Sequence, residues 1–263
     1  MRISVWQVRS LIFILLSFVA ILVLVGFDFQ RELIALKRPS YTVAAWHQEF
    51  SPQVTEIPSQ TLNTQSNTTK PTYEIAPVHP TNYGRRFTTD INGVPVSNQP
   101  IIVLHETVSS ATSTINFFQT PHEDESRQAS YHALVKLDGT IVYLVPPEYR
   151  AFGAGNSVFN GSLGAEAVKT HANFPPSVNN FAYHAALETP PNGRNNARRH
   201  NGYTEAQYHS LAWLVAQSKV PEARITTHRA VDRSGSRIDP RSFELKRFIN
   251  LLRSYRQATT KQT

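Results

Sequence analysis

Three residues far apart in the chain have the types and settings to hold a metal ion. His105 closes the run Ile101-Ile102-Val103-Leu104, His228 closes Ile225-Thr226-Thr227, and Asp239 stands in Arg237-Ile238-Asp239-Pro240 after a Gly-Ser turn. Neutral imidazole nitrogens and a carboxylate oxygen are zinc ligands, and three of them leave a fourth position for water, as a catalytic zinc requires. A single histidine at a strand end is more often a packed or solvated side chain. The second histidine and the aspartate shift the reading towards a site. With no cysteine among 263 residues, a disulfide framework, a thiolate ligand and a thiol nucleophile are all excluded.

The ligands need rigid supports. Four apolar, mostly β-branched residues ahead of His105 suit a strand buried on both faces. Residues Phe87 to Val96 carry Asn92-Gly93 at their centre, and Ser130 to Val145 carry Asp138-Gly139; each pattern predicts a hairpin. Residues 109–122 predict a short capped helix with Ile115 and Phe118 on one face. Phe181 to Leu187 predicts another strand, ending at Glu188, while residues 158–180, rich in Asn, Gly and Pro, predict a long surface excursion. Thr204-Glu205-Ala206-Gln207 is a capping box ahead of Tyr208, Leu211, Ala212 and Val215 at helical spacing. A last helix is predicted over 240–255, burying Phe243, Phe248, Leu251, Leu252 and Tyr255 and exposing Arg241, Lys246, Arg247, Arg253 and Arg256. Strands separated by helices predict an α/β fold, a mixed central β-sheet flanked by helices.

The amino-terminal third reads differently. Arg2 and Arg9 precede an apolar run from Leu11 to Phe27 that is long enough to cross a bilayer and lacks a small-x-small cleavage pattern. Residues 1–27 are therefore expected to be an uncleaved signal anchor, with secretion after cleavage as the alternative. Arg31, Lys37 and Arg38 offset the basic residues on the other side, so charge alone does not orient the segment. Residues 28–83, rich in Thr, Gln, Asn and Ser, are expected to form a flexible tether. The catalytic domain is expected to span 84–257, with a tail at 258–263. The net charge of +7 favours an anionic partner. The evenly interleaved aromatic and basic residues of a nucleic-acid groove are missing, so no nucleic acid is expected.

Taken in order, I-I-V-L-H-E-T, S-Y-H-A-L-V-K-L-D-G-T-I-V-Y-L-V-P, A-F-G-A-G-N-S, Y-T-E-A-Q-Y, T-T-H-R-A-V-D and R-I-D-P resemble the zinc-dependent N-acetylmuramoyl-L-alanine amidases, which share their fold with the peptidoglycan recognition proteins. The resemblance covers residues 84–257. It implies hydrolysis of the amide between N-acetylmuramic acid and the L-alanine of the stem peptide, with zinc on His105, His228 and Asp239. It also implies that Glu188 takes the water's proton and that Arg237 stands where the family carries an oxyanion-stabilising lysine. Arginine donates hydrogen bonds but does not give up its proton, so proton shuttling at that position is not expected. Tyr131 and His132 match a Tyr-His pair near the site in some relatives, with Tyr131 read as positioning. Gly153 replaces a histidine found in many relatives, and His184, among others, matches no role.

A monomer acting outside the cytoplasm, in periplasm or cell wall, on peptidoglycan or muropeptide is expected, tethered to the membrane by its amino terminus. The rival is a muropeptide-binding module of the same fold without catalysis, which the full ligand set argues against.

Overall fold

A six-stranded mixed sheet carries the molecule in the computed structural model, which describes residues 70–162 and 164–260. Its strands are β1 (Tyr73–Ile75), β3 (Ile101–Glu106), β4 (Ala133–Val135), β5 (Ile141–Tyr143), β9 (Ala182–Leu187) and β10 (Ile225–Thr227). They lie in the order β1-β5-β4-β9-β3-β10. Strands β4, β9, β3 and β10 are parallel, β5 is antiparallel to β4, and β1 is parallel to β5. Two small antiparallel pairs complete the β-structure: β2 (Tyr83–Arg85) with β6 (Tyr149–Ala151), and β7 (Phe159–Gly161) with β8 (Gly164–Glu166).

Every residue of β3 is buried, as a strand covered on both faces requires. Its alternation sorts the chemistry. Ile102 and Leu104 pack with Ala185 and Leu187 against helices α2 (Glu205–Ala216) and α4 (Leu245–Thr260), chiefly through Tyr208, Leu211, Phe248 and Leu252. Ile101 and Val103 face the other way, into a cluster with Ala182, Val178 and Val231. His105 shares that second face and Glu106 the helical one, because successive side chains of a strand alternate. Helix α2 forms as expected: Thr204 and Gln207 make a reciprocal capping box. Gln207 does more, since its Nε2 donates to the carbonyls of Val135 and Glu188, fixing the helix to the ends of β4 and β9. Helix α1 (Ala111–Gln119) is capped by Ser110 and buries Phe118.

Four expectations need correction. Residues 70–83, assigned to the tether, belong to the folded sheet: β1 adds an edge strand beside β5, and Asn82 is fully buried, its amide donating to the carbonyls of Phe118 and Thr120. A three-residue edge strand is too short to show a period. The excursion at 158–180 contains the β7-β8 pair and an antiparallel bridge between Val168 and Ser177. The last helix begins at Leu245 instead of 240, because Ser242 takes a positive φ of 53°. Arg241 is not exposed but buried, for a reason given below. The remainder of the tether and the expected anchor at residues 1–27 lie outside the described residues. Among the described residues no helix is long and apolar enough to cross a membrane.

Candidate metal centre and active site

Strand β3 delivers His105 at its carboxyl end. Next to it, β10 runs in register, with Thr227 level with Leu104, and leads directly into the short helix α3 (His228–Val231). His228 is thus the first residue of a helix capped by Thr227, and not the end of a strand. The third residue arrives by a turn. Asp232 accepts the backbone N–H groups of Ser234 and Arg237, and the Asp239 carbonyl accepts the N–H of Arg229 at 2.9 Å, which folds 239 back onto 228.

The result is convergence. One ligand atom each from His105, His228 and Asp239 lies within 4.8 Å of the others, all three residues being buried. His228 Nδ1 is 3.1 Å from an Asp239 carboxylate oxygen, and His105 Nδ1 is 3.4 Å from Oδ2. The second separation is an ion-pair distance without hydrogen-bond alignment, so His105 Nδ1 is a buried nitrogen lacking a hydrogen-bond partner. A buried imidazole nitrogen facing a carboxylate and a second imidazole is the donor set of a cation site. Burial first, then the neighbouring His228 and Arg237, pull the His105 imidazole down to about 4 against the raising effect of Asp239. Burial would raise Asp239, but the two imidazoles outweigh it and hold the carboxyl well below its usual range. A neutral imidazole and an ionised carboxylate are the protonation states that bind a metal.

Tyr131 lies over the His105 ring, with centroids 4.7 Å apart. Burial and the nearby Asp239 push its phenol well up, so it stays protonated and can donate. Arg237 lines a cleft of about 930 Å³ with Arg198, Arg199, Arg229, Ile238 and Pro240. None of these four arginines has a carboxylate partner among the described residues, so the cleft beside Asp239 carries positive charge ready for an anion.

Glu188 is placed otherwise than a free base would be. Its Oε1 accepts from the N–H of Ala111 and from Arg194, and its Oε2 from the N–H of Leu137. Three of about four acceptor positions on the carboxylate are thereby occupied. Its visible work is to hold the start of α1 and the β4-β5 turn to the end of β9. It is outside the three-residue ligand group.

Sequence reasoning passed over Glu106. Buried on the helical face, its Oε1 accepts from Arg241 Nε, while its Oε2 accepts from His200 at 2.9 Å and from the Tyr203 hydroxyl at 2.8 Å. Arg241 also donates to the carbonyls of Gly193, Asn195 and Ala197. The pair ties the residue after His105 to the residue two beyond Asp239. A glutamate closing a buried strand was the available signal, since an unpaired buried carboxylate would be too costly.

Residues 97–242 match the family described as N-acetylmuramoyl-L-alanine amidase, more than half of the chain. The chain belongs to that family. It is an amidase that hydrolyses the bond between N-acetylmuramic acid and L-alanine of the peptidoglycan stem. Solved structures similar to it include a selenomethionine derivative of AmpD (21% identity, 70% of this chain and 94% of that one, TM-score 0.47). The Staphylococcus aureus hydrolase AmiA in complex with its ligand is similar at 15% identity, over 79% of this chain and 98% of that one, with a TM-score of 0.46. Pseudomonas aeruginosa AmpDH3 in complex with anhydromuramic pentapeptide follows at 17% identity, 63% and 66% coverage and a TM-score of 0.43. No curated protein matches the chain.

Proposed function

We propose that this amidase works with one zinc ion held by His105, His228 and Asp239. The observation that carries the reading is the buried, unpartnered Nδ1 of His105 facing a second imidazole and an ionised carboxylate. Zinc held by these three residues would supply Lewis-acid chemistry, polarising the scissile carbonyl and lowering the pKa of a water near neutral pH. The chain's own residues supply the rest. Arg237, two residues before Asp239 and lining the arginine cleft, donates to the oxygen on which negative charge develops. Tyr131 holds the His105 ring and offers a hydroxyl donor. Glu188 receives the proton lost by water through the acceptor position its three donors leave on Oε2, and passes it to the leaving amine. The arginine-lined cleft draws in the acidic wall polymer. A muropeptide-binding module without catalysis is disfavoured by the convergence of all three ligands.

The chain acts outside the cytoplasm, held to the membrane by residues 1–27, where its substrate lies. Protease accessibility of the domain in spheroplasts tests that placement, and protection by an intact membrane would refute it. For the chemistry, the purified protein is stripped with a chelator, refilled with one equivalent of zinc, and incubated with muropeptides. Mass spectrometry is expected to show free glycan and peptides beginning with L-alanine only after refilling. Equal turnover by the stripped protein would end the zinc reading.

A further inference from the structure

His184 is the largest unexplained investment in the core. It is fully buried on β9, on the face that carries His105, and its Nδ1 lies 2.9 Å from His105 Nε2. The register explains the meeting. Val103 is level with His184 and His105 with Ala186, so positions 184 and 105 are diagonal neighbours on one face. The small Ala186 beside His105 leaves room for one imidazole to lean over to the other.

Around the His184 ring the space is cut to fit. A Cβ on Gly153 would stand 2.5 Å from the His184 ring, so this glycine exists where the imidazole needs the volume. His132 holds the other side: its ring stacks on His184 at 5.7 Å and 10°, and its Nδ1 accepts the His184 backbone N–H at 2.9 Å. A ring this tightly held nevertheless leaves Nε2 without a hydrogen-bond partner. Burying an unsatisfied nitrogen destabilises the fold, so something else is gained at Nδ1.

The His105–His184 contact has one workable polarity when His105 binds a metal. With Nδ1 of His105 turned to Asp239 and His228, the neutral ring carries its proton on Nε2, and that N–H donates to His184 Nδ1. We propose that His184 is a positioning residue of the metal centre, accepting the His105 Nε2 proton and so committing Nδ1 to the metal, with Gly153 as the residue that makes room for it. Ligating histidines usually find a carboxylate or carbonyl for this purpose. An imidazole orients the ligand without adding negative charge, so the charge opposing the metal comes from Asp239 alone.

This inference rests on the zinc reading above, and the experiment separates the two. The parent chain and three variants, His184→Leu, His184→Asn and Gly153→Ala, are compared by competition with a chromogenic chelator. His184→Leu removes the acceptor at similar volume and is expected to weaken zinc binding by about 10- to 100-fold. His184→Asn keeps an acceptor atom near the Nδ1 position and is expected to recover most of that loss. Gly153→Ala, which must displace the ring, is expected to weaken binding as His184→Leu does. In the zinc-loaded parent, long-range proton–nitrogen correlations are expected to show His105 protonated at Nε2, a readout that needs no variant to fold. A His105 proton on Nδ1 in the loaded parent, or a folded His184→Leu protein that binds zinc as tightly as the parent, overturns the proposal while the zinc site stands. A parent that binds no zinc overturns both.

Discussion

Glu106→Gln is the sharpest test of how the ligands are held. The substitution keeps the shape but removes the charge opposite Arg241, in a pair whose side chains are 0% and 2% exposed. Oε1 of the carboxylate accepts from Arg241, and Oε2 from both His200 and Tyr203. A glutamine has one acceptor oxygen, so its NH2 must face donors on one side. Tyr203 can rotate its hydroxyl, but His200 Nδ1 already accepts the N–H of Gly202, which fixes the proton on Nε2. Breaking one side of a buried ion pair costs roughly 3–5 kcal/mol. The three carbonyls that still accept from Arg241 put this case at the lower end, about 3 kcal/mol. For a domain of this size that is a fall in Tm of about 6–12 °C. Because Arg241 sits two residues beyond Asp239, zinc affinity should fall by about tenfold as well. Calorimetry with and without zinc, beside a chelator competition, reads both numbers. A single variant with an unchanged Tm would show that the pair does not fasten the ligand loop.

Further outcomes are expected. Glu188→Gln forces an NH2 group against backbone donors and should lose about 1–3 kcal/mol of stability, visible as a lower urea midpoint. As the proton acceptor it should also lose roughly 10²- to 10⁴-fold in turnover per bound zinc; parental turnover in the folded variant would leave Glu188 with anchoring alone. Asp239→Ala should purify without stoichiometric zinc and release no L-alanine peptides, and elemental analysis showing one zinc per chain would contradict the ligand set. The metal-free protein should lose stability as pH falls. Burial, then the Arg86 cation, bring the His132 imidazole down to about 3, so below the unfolded value near 6.5 the unfolded chain binds a proton that the folded one refuses. The stability that His132 contributes is full above that value and is lost as pH falls towards 3, at up to about 1.4 kcal/mol per pH unit. Urea titrations between pH 7 and 4 check the slope, which His132→Gln should flatten.

Much of this protein was readable without coordinates. The buried run Ile101–Leu104, the Asp138-Gly139 turn and the Thr204 capping box are local signals, written in the spacing of neighbours, and each became the expected element. The convergence of His105, His228 and Asp239 was legible in part, because metal-binding chemistry restricts residue types; that His228 opens a helix instead of closing a strand was not. Partnerships between distant residues were not legible. Arg241 reads as a surface charge on an amphipathic pattern until Glu106 is found beneath it, and Tyr73–Ile75 reads as linker until β5 offers an edge. Nor did spacing show the three donors that hold the Glu188 carboxylate. The meeting of His184 with His105 depends on strand register, and the space it fills depends on Gly153 from another loop. Residue type and spacing determined which atoms could bind a metal; only the packing of nonadjacent strands decided which groups would hold those atoms in place, because burial and register are properties of pairs the chain does not place side by side.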